Sequence, residues 1–301
     1  GDDIRPDFKR YNDGQSKFYM KKSRIENYTN GWFIGNFKPT LLDSTQFEVA
    51  VQKHHCGFVG EIHYHTRSTE YNLVLNGRVR INRQEMVAGD IFVFAPMELS
   101  QSEFLEDTTI LVVRTPSEPH DKVLLNSDYA DIATNVLGEL KATGSLVGAE
   151  LGVKEGRLSE AFLARNPLLT MYSVDYWGSD EKIPEQHDHA SNYEETVNRL
   201  LLFGERSIIR RKLTSVAVKD FPDEFFDFVY IDATHTYAGA LEDIQQWVKK
   251  IKPDGIIAGH DYCEGWSGVI EAVNQSVIDP SKLKLFPCNV WVTEARNIKQ
   301  L

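Results

Sequence analysis

The chain has 301 residues, 42% of them hydrophobic and 26% charged, with a formal net charge of −11. This is an ordinary globular composition, long enough for two domains. An acidic balance without clustered Lys and Arg excludes generic binding to a phosphate backbone, and no run of 18 apolar residues is present to span a membrane. Neither nucleic acid nor membrane is therefore expected as a partner. Three widely spaced cysteines (Cys56, Cys263, Cys288) and the lack of a basic start followed by an apolar h-region fit a cytoplasmic protein.

In chain order, residues 1–30 are polar and read as a lead-in. From 31 to 118 the texture is short strands and turns. Phe47–Val51, Leu73–Leu75, Val79–Ile81, Ile91–Phe94 and Thr109–Val113 alternate or run apolar at strand length. Asn76-Gly77 sits between two of these runs as a hairpin turn signal. No convincing helix interrupts them, so a small all-β barrel or sandwich is expected. Thr115-Pro116 opens a linker, placed at 119–123. From 124 to 301 strands and helices alternate. Strands are expected over 147–152, 169–175, 207–211, 226–232, 255–259 and 290–292. Helices are expected over 129–141, 157–165, 192–203, 241–251 and 268–278. Such alternation predicts a doubly wound α/β domain built on a parallel sheet. Trp247, with Leu241, Ile244 and Val248 at helical spacing, reads as core packing.

In the β region, His63 and His65 are two apart, which on a strand puts both imidazoles on one face. Glu70 follows a turn later, so two histidines and a carboxylate can converge as a divalent-metal set. The order His-x-His-x4-Glu-x6-Gly, followed by Gly89-Asp90-Ile91-Phe92-Val93-Phe94-Ala95-Pro96, resembles the two motifs of the cupin family. The resemblance implies a cupin-like β-barrel over 31–118. It also implies a metal site at His63, His65 and Glu70 suited to iron, manganese, nickel or zinc. This chain has Pro96-Met97-Glu98-Leu99-Ser100-Gln101 where cupins supply a third histidine. Gln101 or water would complete the shell, or the barrel is metal-free and binds a ligand through its mouth.

In the α/β region, Gly148-Ala149-Glu150-Leu151-Gly152-Val153-Lys154-Glu155-Gly156 follows the first apolar strand. Glycines there let the backbone turn tightly beside a ligand. Asp175, ending the next strand, is spaced to accept from a ribose diol. The turn lacks Gly-x-Gly-x-x-Gly, which would seat a pyrophosphate. Glu150 is expected to place negative charge near it, matching a cation. These features fit S-adenosylmethionine better than NAD. Further on, Asp232, His235, His260 and Asp261 fall at the ends of two strands expected to lie side by side, where ligands bind in open α/β sheets.

Taken together, Glu-x-Gly-x-x-x-Gly, the Val174-Asp175 strand end, Tyr230-Ile231-Asp232-x-x-His235-x-Tyr237 and Gly255-x-x-Ala258-Gly259-His260-Asp261-Tyr262 resemble class I S-adenosylmethionine-dependent O-methyltransferases of the macrocin and sugar-tailoring type. The resemblance covers 124–301 and implies a Rossmann-like domain that binds cofactor at Glu150, Gly152, Gly156, Asp175 and Asp232. It further implies magnesium held at Asp232, His260 and Asp261, with His235 as general base assisted by Asp232. Those relatives have an acid where this chain has His260, which favours a metal tolerant of mixed O/N ligands or a metal-independent variant. The expected activity is O-methylation of a small-molecule acceptor, a sugar, nucleotide-sugar or natural product, by a homodimer whose barrel aids acceptor binding or assembly. The alternative is a metal-dependent cupin oxygenase or isomerase with the α/β domain auxiliary.

Overall fold

The computed structural model describes residues 22–178 and 188–299. Most of the lead-in and the centre of the 178–190 loop, including His187, lie outside the described residues.

The β domain contains β1 (Trp32–Ile34), β2 (Glu48–His54), β3 (His63–His65), β4 (Thr69–Asn76), β5 (Arg78–Ile81), β6 (Gln84–Val87), β7 (Ile91–Phe94), β8 (Ser102–Phe104), β9 (Thr108–Thr115) and β10 (Lys122–Leu124). β1-β2-β9-β4-β7 form one antiparallel sheet, β6-β5-β8 a second, and β10 pairs with β3. Inward residues such as Ala50, Val74, Val79, Phe104 and Val112 meet between the two sheets, giving the expected cupin-like barrel. Asn76-Gly77 is not a hairpin turn. β4 and β5 lie in different sheets, and Gly77 (φ +85) turns the corner where a Cβ would stand 2.4 Å from the Asp107 carbonyl. The expected linker is also built in. Asp121 is buried and accepts from the backbone amides of Arg67 (2.8 Å) and Ser68 (2.9 Å), and β10 is hydrogen-bonded to β3.

The α/β domain runs α1 (Ser127–Gly138), β11 (Leu146–Leu151), α2 (Arg157–Arg165), β12 (Leu169–Asp175), α3 (His189–Leu200), β13 (Ser207–Arg211), α4 (Thr214–Ala217), β14 (Phe226–Ile231), α5 (Tyr237–Trp247), β15 (Ile251–Gly259), α6 (Ser267–Ser276), β16 (Lys284–Phe286) and β17 (Val290–Glu294). The sheet order is β13-β12-β11-β14-β15-β17-β16. The first five are parallel, and β17 runs antiparallel to both β15 and the edge strand β16, so the sheet is mixed at that edge. β14 is buried along its whole length, as a central strand covered on both faces must be. Ile231 pairs with Gly259, bringing the ends of β14 and β15 level.

The barrel packs directly on this domain. Ile62, Tyr64 and Leu99 share one buried cluster with α1, α2 and the sheet. The Leu99 amide donates to the Ala164 carbonyl (2.9 Å) at the end of α2.

On α5, Asp243 is buried and its Oδ2 has no hydrogen-bond partner. Burial lifts its carboxyl to about 7. Its folded value lies above its unfolded one, so its contribution is fully favourable below about pH 4 and is lost as pH rises through 7. Asp243→Asn is therefore expected to be more stable than wild type at pH 8, by up to about 4 kcal/mol, and to show no such gain at pH 4. Urea denaturation at both values checks this; equal differences at the two would refute it.

Candidate active site

Two constellations emerge, one per domain. In the α/β domain the site is assembled from four strand ends. Leaving β11, the chain makes a glycine turn. Gly152 has φ +83, and a Cβ there would stand 2.1 Å from the Asp232 carbonyl oxygen. Only glycine lets this turn sit against the end of β14, and the Asp232 amide donates to the Leu151 carbonyl (2.7 Å). Gly156 (φ +77) then opens α2.

Asp175, at the end of β12, braces the turn. Its Oδ2 accepts from the amides of Val153 (2.8 Å) and Lys154 (3.0 Å), and its Oδ1 from Trp177 (2.9 Å). Trp177 is buried, and its indole N–H donates to the Lys154 carbonyl (2.8 Å) from the other side.

Glu150 does not present charge to the turn. It is buried inside the domain, where the Ser159 hydroxyl hydrogen-bonds it, and burial raises its carboxyl well above the ordinary range. Its hydrogen bond to Ser159 ties the strand to α2. Its neighbours in sequence suggested exposure because a strand end and a loop start look alike without the packing.

At the level ends of β14 and β15, the expected four residues come together. His235 Nε2 lies 2.7 Å from Asp261 Oδ2 and 3.8 Å from Asp232 Oδ1. His260 Nδ1 lies 3.1 Å from Asp261 Oδ1 and 3.9 Å from Asp232 Oδ1. Asp261 holds a left-handed backbone (φ +60), uncommon for a non-glycine residue and typical of a functional site when it occurs. The set whose ligand atoms converge within 4.8 Å is Asp232, His235 and Asp261, so His235 takes the place that the expected metal set gave to His260.

The electrostatics follow from crowding two carboxylates. The facing carboxylates of Asp232 and Asp261 hold the His235 imidazole up to about 10. His260 is raised by its hydrogen bond to Asp261. Burial raises the Asp232 carboxyl, whereas at Asp261 burial is outweighed by hydrogen bonds from His235 and His260, which hold it below the usual range.

Sequence reasoning missed Trp266, whose ring stacks on His235 (centroids 4.2 Å apart, 25°) and is 40% exposed. It lies just before α6, a full strand beyond His235, and nothing local links the two.

In the barrel, His63, His65 and Glu70 also converge within 4.8 Å, on the wall of a cavity of about 900 Å³. His63 Nδ1 faces the Glu61 carbonyl at 2.7 Å. A carbonyl only accepts, so Nδ1 carries the proton and Nε2 keeps its lone pair. His65 Nδ1 lies 3.5 Å from Asp121, and its Nε2 3.3 Å from Glu70. Metal-ligating histidines are held in this way, by an acceptor on the outer nitrogen. Burial lowers the His63 value.

Gln101 does not complete this set. Ser100 exchanges backbone hydrogen bonds with His63 (3.1 and 2.7 Å) and lines the cavity, which puts Gln101 on the opposite face. Arg114, also unforeseen, fills the space beside His65. Its Nη1 is 3.4–3.5 Å from both ring nitrogens, its guanidinium carbon sits 4.2 Å over Trp32, and it pairs with buried Glu48. The donor set fits a divalent cation, beside a fixed positive charge.

Residues 149–262 match the family model described as a methyltransferase domain. An uncharacterized protein of Sinorhizobium fredii is 24% identical over 120 residues, 38% of this chain, and the chain spans only 12% of that relative. Among solved structures, CalS11, a TDP-rhamnose 3'-O-methyltransferase of calicheamicin biosynthesis, is 17% identical (TM-score 0.42; 56% of this chain, 79% of that one). A conserved protein with a double-stranded β-helix domain from Klebsiella pneumoniae is 17% identical (TM-score 0.29; 36% and 95%). The family match falls on the strands and turns just described, within the α/β domain.

Proposed function

We propose that the chain is an S-adenosylmethionine-dependent O-methyltransferase acting on a hydroxyl of a small sugar, nucleotide-sugar or natural-product acceptor. One observation carries this reading: the glycine turn after β11 is in backbone contact with the end of β14, where Asp232 and His235 meet Asp261 and His260. A cofactor on the turn and an acceptor hydroxyl at the imidazoles would then be neighbours.

The turn and Asp175 would hold the cofactor, since a carboxylate accepting three amides retains one acceptor site for a ribose hydroxyl. When bound, S-adenosylmethionine supplies an electrophilic methyl group on sulfonium. The protein orients the hydroxyl in line with it and removes the proton. His235 is the group that takes that proton. While both carboxylates face the imidazole alone it stays protonated at neutral pH, so proton acceptance requires one of them to be engaged elsewhere.

Asp232 and Asp261 with one imidazole fit a divalent cation. All-oxygen magnesium sites are the norm, and the mixed set suits manganese, iron or zinc at least as well. Such a cation would lower the pKa of an oxygen it holds. One imidazole cannot be ligand and base at once; with His235 as the base, His260, whose Nδ1 lies 3.1 Å from Asp261 and 3.9 Å from Asp232, is the imidazole left to the cation.

The test is calorimetric titration with S-adenosylhomocysteine. Wild type is expected to bind in the micromolar range and Asp175→Ala at least tenfold more weakly, about 1.4 kcal/mol. Absence of binding by folded wild type, with and without manganese, refutes the reading.

The barrel's own metal-competent geometry supports a second reading, with iron, manganese, nickel or zinc at His63, His65 and Glu70 and oxygenase or isomerase chemistry there. Loss of turnover in His63→Ala with Asp232→Asn unaffected would favour it.

A further inference from the structure

Nothing local calls for a tryptophan at the start of α6. Trp266 holds the N-cap position, which favours Ser, Thr, Asp or Asn, and it gives the helix no side-chain cap. Asn126, Asp188 and Thr236 fill the same position on α1, α3 and α5, and each accepts from a backbone amide there. The Trp266 indole is 40% exposed, and its N–H makes no hydrogen bond among the described residues. By contrast, Trp177 beside the glycine turn is buried and donates to a carbonyl. A residue that departs from both capping and burial preferences, in contact with a cluster of titratable groups, marks a functional position.

The fold brings it there by a close approach. At Gly268 a Cβ would stand 2.6 Å from the Tyr237 amide nitrogen and 3.0 Å from the His235 carbonyl oxygen. Only glycine lets the first turn of α6 press on this segment, and the indole then stacks on the His235 imidazole at 4.2 Å. The sheet order β12-β11-β14-β15 fixes the side. The glycine turn and Asp175, which would hold the cofactor, follow β11 and β12, whereas Trp266 follows β15. The two flank the end of β14 from opposite sides, so the indole belongs to the acceptor side.

Resting on the O-methyltransferase reading, we infer that Trp266 is an acceptor-recognition residue, whose open indole surface beside His235 takes the apolar C–H face of a pyranose ring. The groups around it select that ligand. Asp232 and Asp261 as carboxylates only accept hydrogen bonds, which calls for a ligand rich in hydroxyls. The unbonded indole N–H calls for an oxygen that accepts. The indole itself calls for an apolar surface of ring size. A pyranose offers all three, with hydroxyls around its rim and C–H bonds across its face. A phenolic ring stacks equally well but brings fewer hydroxyls, and an alkyl alcohol brings no face. An imidazole is smaller than an indole and leaves part of that face uncovered. A sugar lying there sets a rim hydroxyl against the base.

Calorimetry on the full chain saturated with S-adenosylhomocysteine, with and without manganese, tests this. The probes are UDP-hexoses, UDP-6-deoxyhexoses and methyl hexosides, with catechol as the flat comparison. Wild type is expected to bind at least one sugar, and to bind it more tightly than catechol. Trp266→Leu is expected to lose at least tenfold in affinity for that sugar while its affinity for S-adenosylhomocysteine stays within twofold. Trp266→Phe keeps an aromatic face without the N–H and should lose less. The bound sugar should shift the tryptophan emission of wild type to the blue and leave that of Trp266→Phe unshifted, which an indole serving only to pack the loop would not do. This emission comparison also carries the test if Trp266→Leu does not fold. Failure of wild type to bind S-adenosylhomocysteine would overturn the methyltransferase reading and this assignment with it. Wild type that binds S-adenosylhomocysteine but no sugar, tighter binding of catechol than of any sugar, or sugar affinity unchanged in Trp266→Leu would overturn the role of Trp266 alone.

Discussion

His235→Ala is expected to lower kcat of methyl transfer by about 10²–10⁴, the usual worth of a positioned general base, with a much smaller change in KM. The expectation rests on geometry. His235 Nε2 is the ring nitrogen closest to a carboxylate at the site, 2.7 Å from Asp261, and Trp266 covers the ring from one side. Those contacts leave the imidazole one orientation. Asp232→Asn should fall in the same range, because Asp232 both faces His235 and closes the glycine turn.

A chelator distinguishes the two ways of freeing the imidazole from its carboxylates. If a divalent cation takes them, EDTA abolishes turnover and manganese restores it. If the acceptor engages them itself, EDTA changes nothing. His260→Ala is the internal comparison, expected to lose less than His235→Ala. Steady-state rates with a panel of nucleotide-sugars read all four. His235→Ala within threefold of wild type would remove His235 from the chemistry, and a larger loss in His260→Ala would exchange the two roles.

How much of this was legible in the sequence varies with the physics behind each element. Long, fully buried strands announce themselves: Phe226–Ile231 is apolar on both faces but for Asp227, and its end was placed within a residue. The cluster of Asp232, His235, His260 and Asp261 was legible for the same reason, since two parallel strands with level ends bring their next residues together whatever the loops do. Three-residue strands such as β1, β3, β8, β10 and β16 are too short to show a period.

Asn76-Gly77 misled because a tight turn and a change of sheet ask the same thing of the backbone, a residue tolerant of positive φ. Glu150 misled because its burial comes from α2, which packs over the strand and whose Ser159 hydrogen-bonds it. Arg114 and Asp121, which frame His65, lie 49 and 56 positions further on, and only the barrel closure joins them.

Glu160→Ala is expected to uncouple the two domains. Glu160 is buried on α2. Its Oε1 accepts from the Tyr64 hydroxyl at 2.8 Å and its Oε2 from Arg199 Nη1 at 2.7 Å. Tyr64 itself is wholly buried. It sits between His63 and His65 on β3, so the strand that turns two imidazoles into the barrel cavity turns its middle side chain into the α/β domain. Removing the carboxylate leaves a buried phenol and a largely covered guanidinium without their shared partner. Breaking one side of such a buried pair costs about 3–5 kcal/mol, far more than an exposed salt bridge contributes. Glu160→Gln keeps an acceptor for Tyr64 and should cost about 1–2 kcal/mol. Arg199 also donates through Nε to the Glu155 carbonyl at 3.1 Å, inside the glycine turn. Loss of Glu160 should therefore loosen that turn and weaken S-adenosylhomocysteine binding along with the domain contact. In urea, wild type should unfold in one transition, because the barrel and the α/β sheet share a buried cluster. Glu160→Ala should split it into two and Glu160→Gln should not. A single, unshifted transition in Glu160→Ala would mean that the apolar contacts of Tyr64 with Phe203 and of Leu99 with α2 hold the domains without the carboxylate.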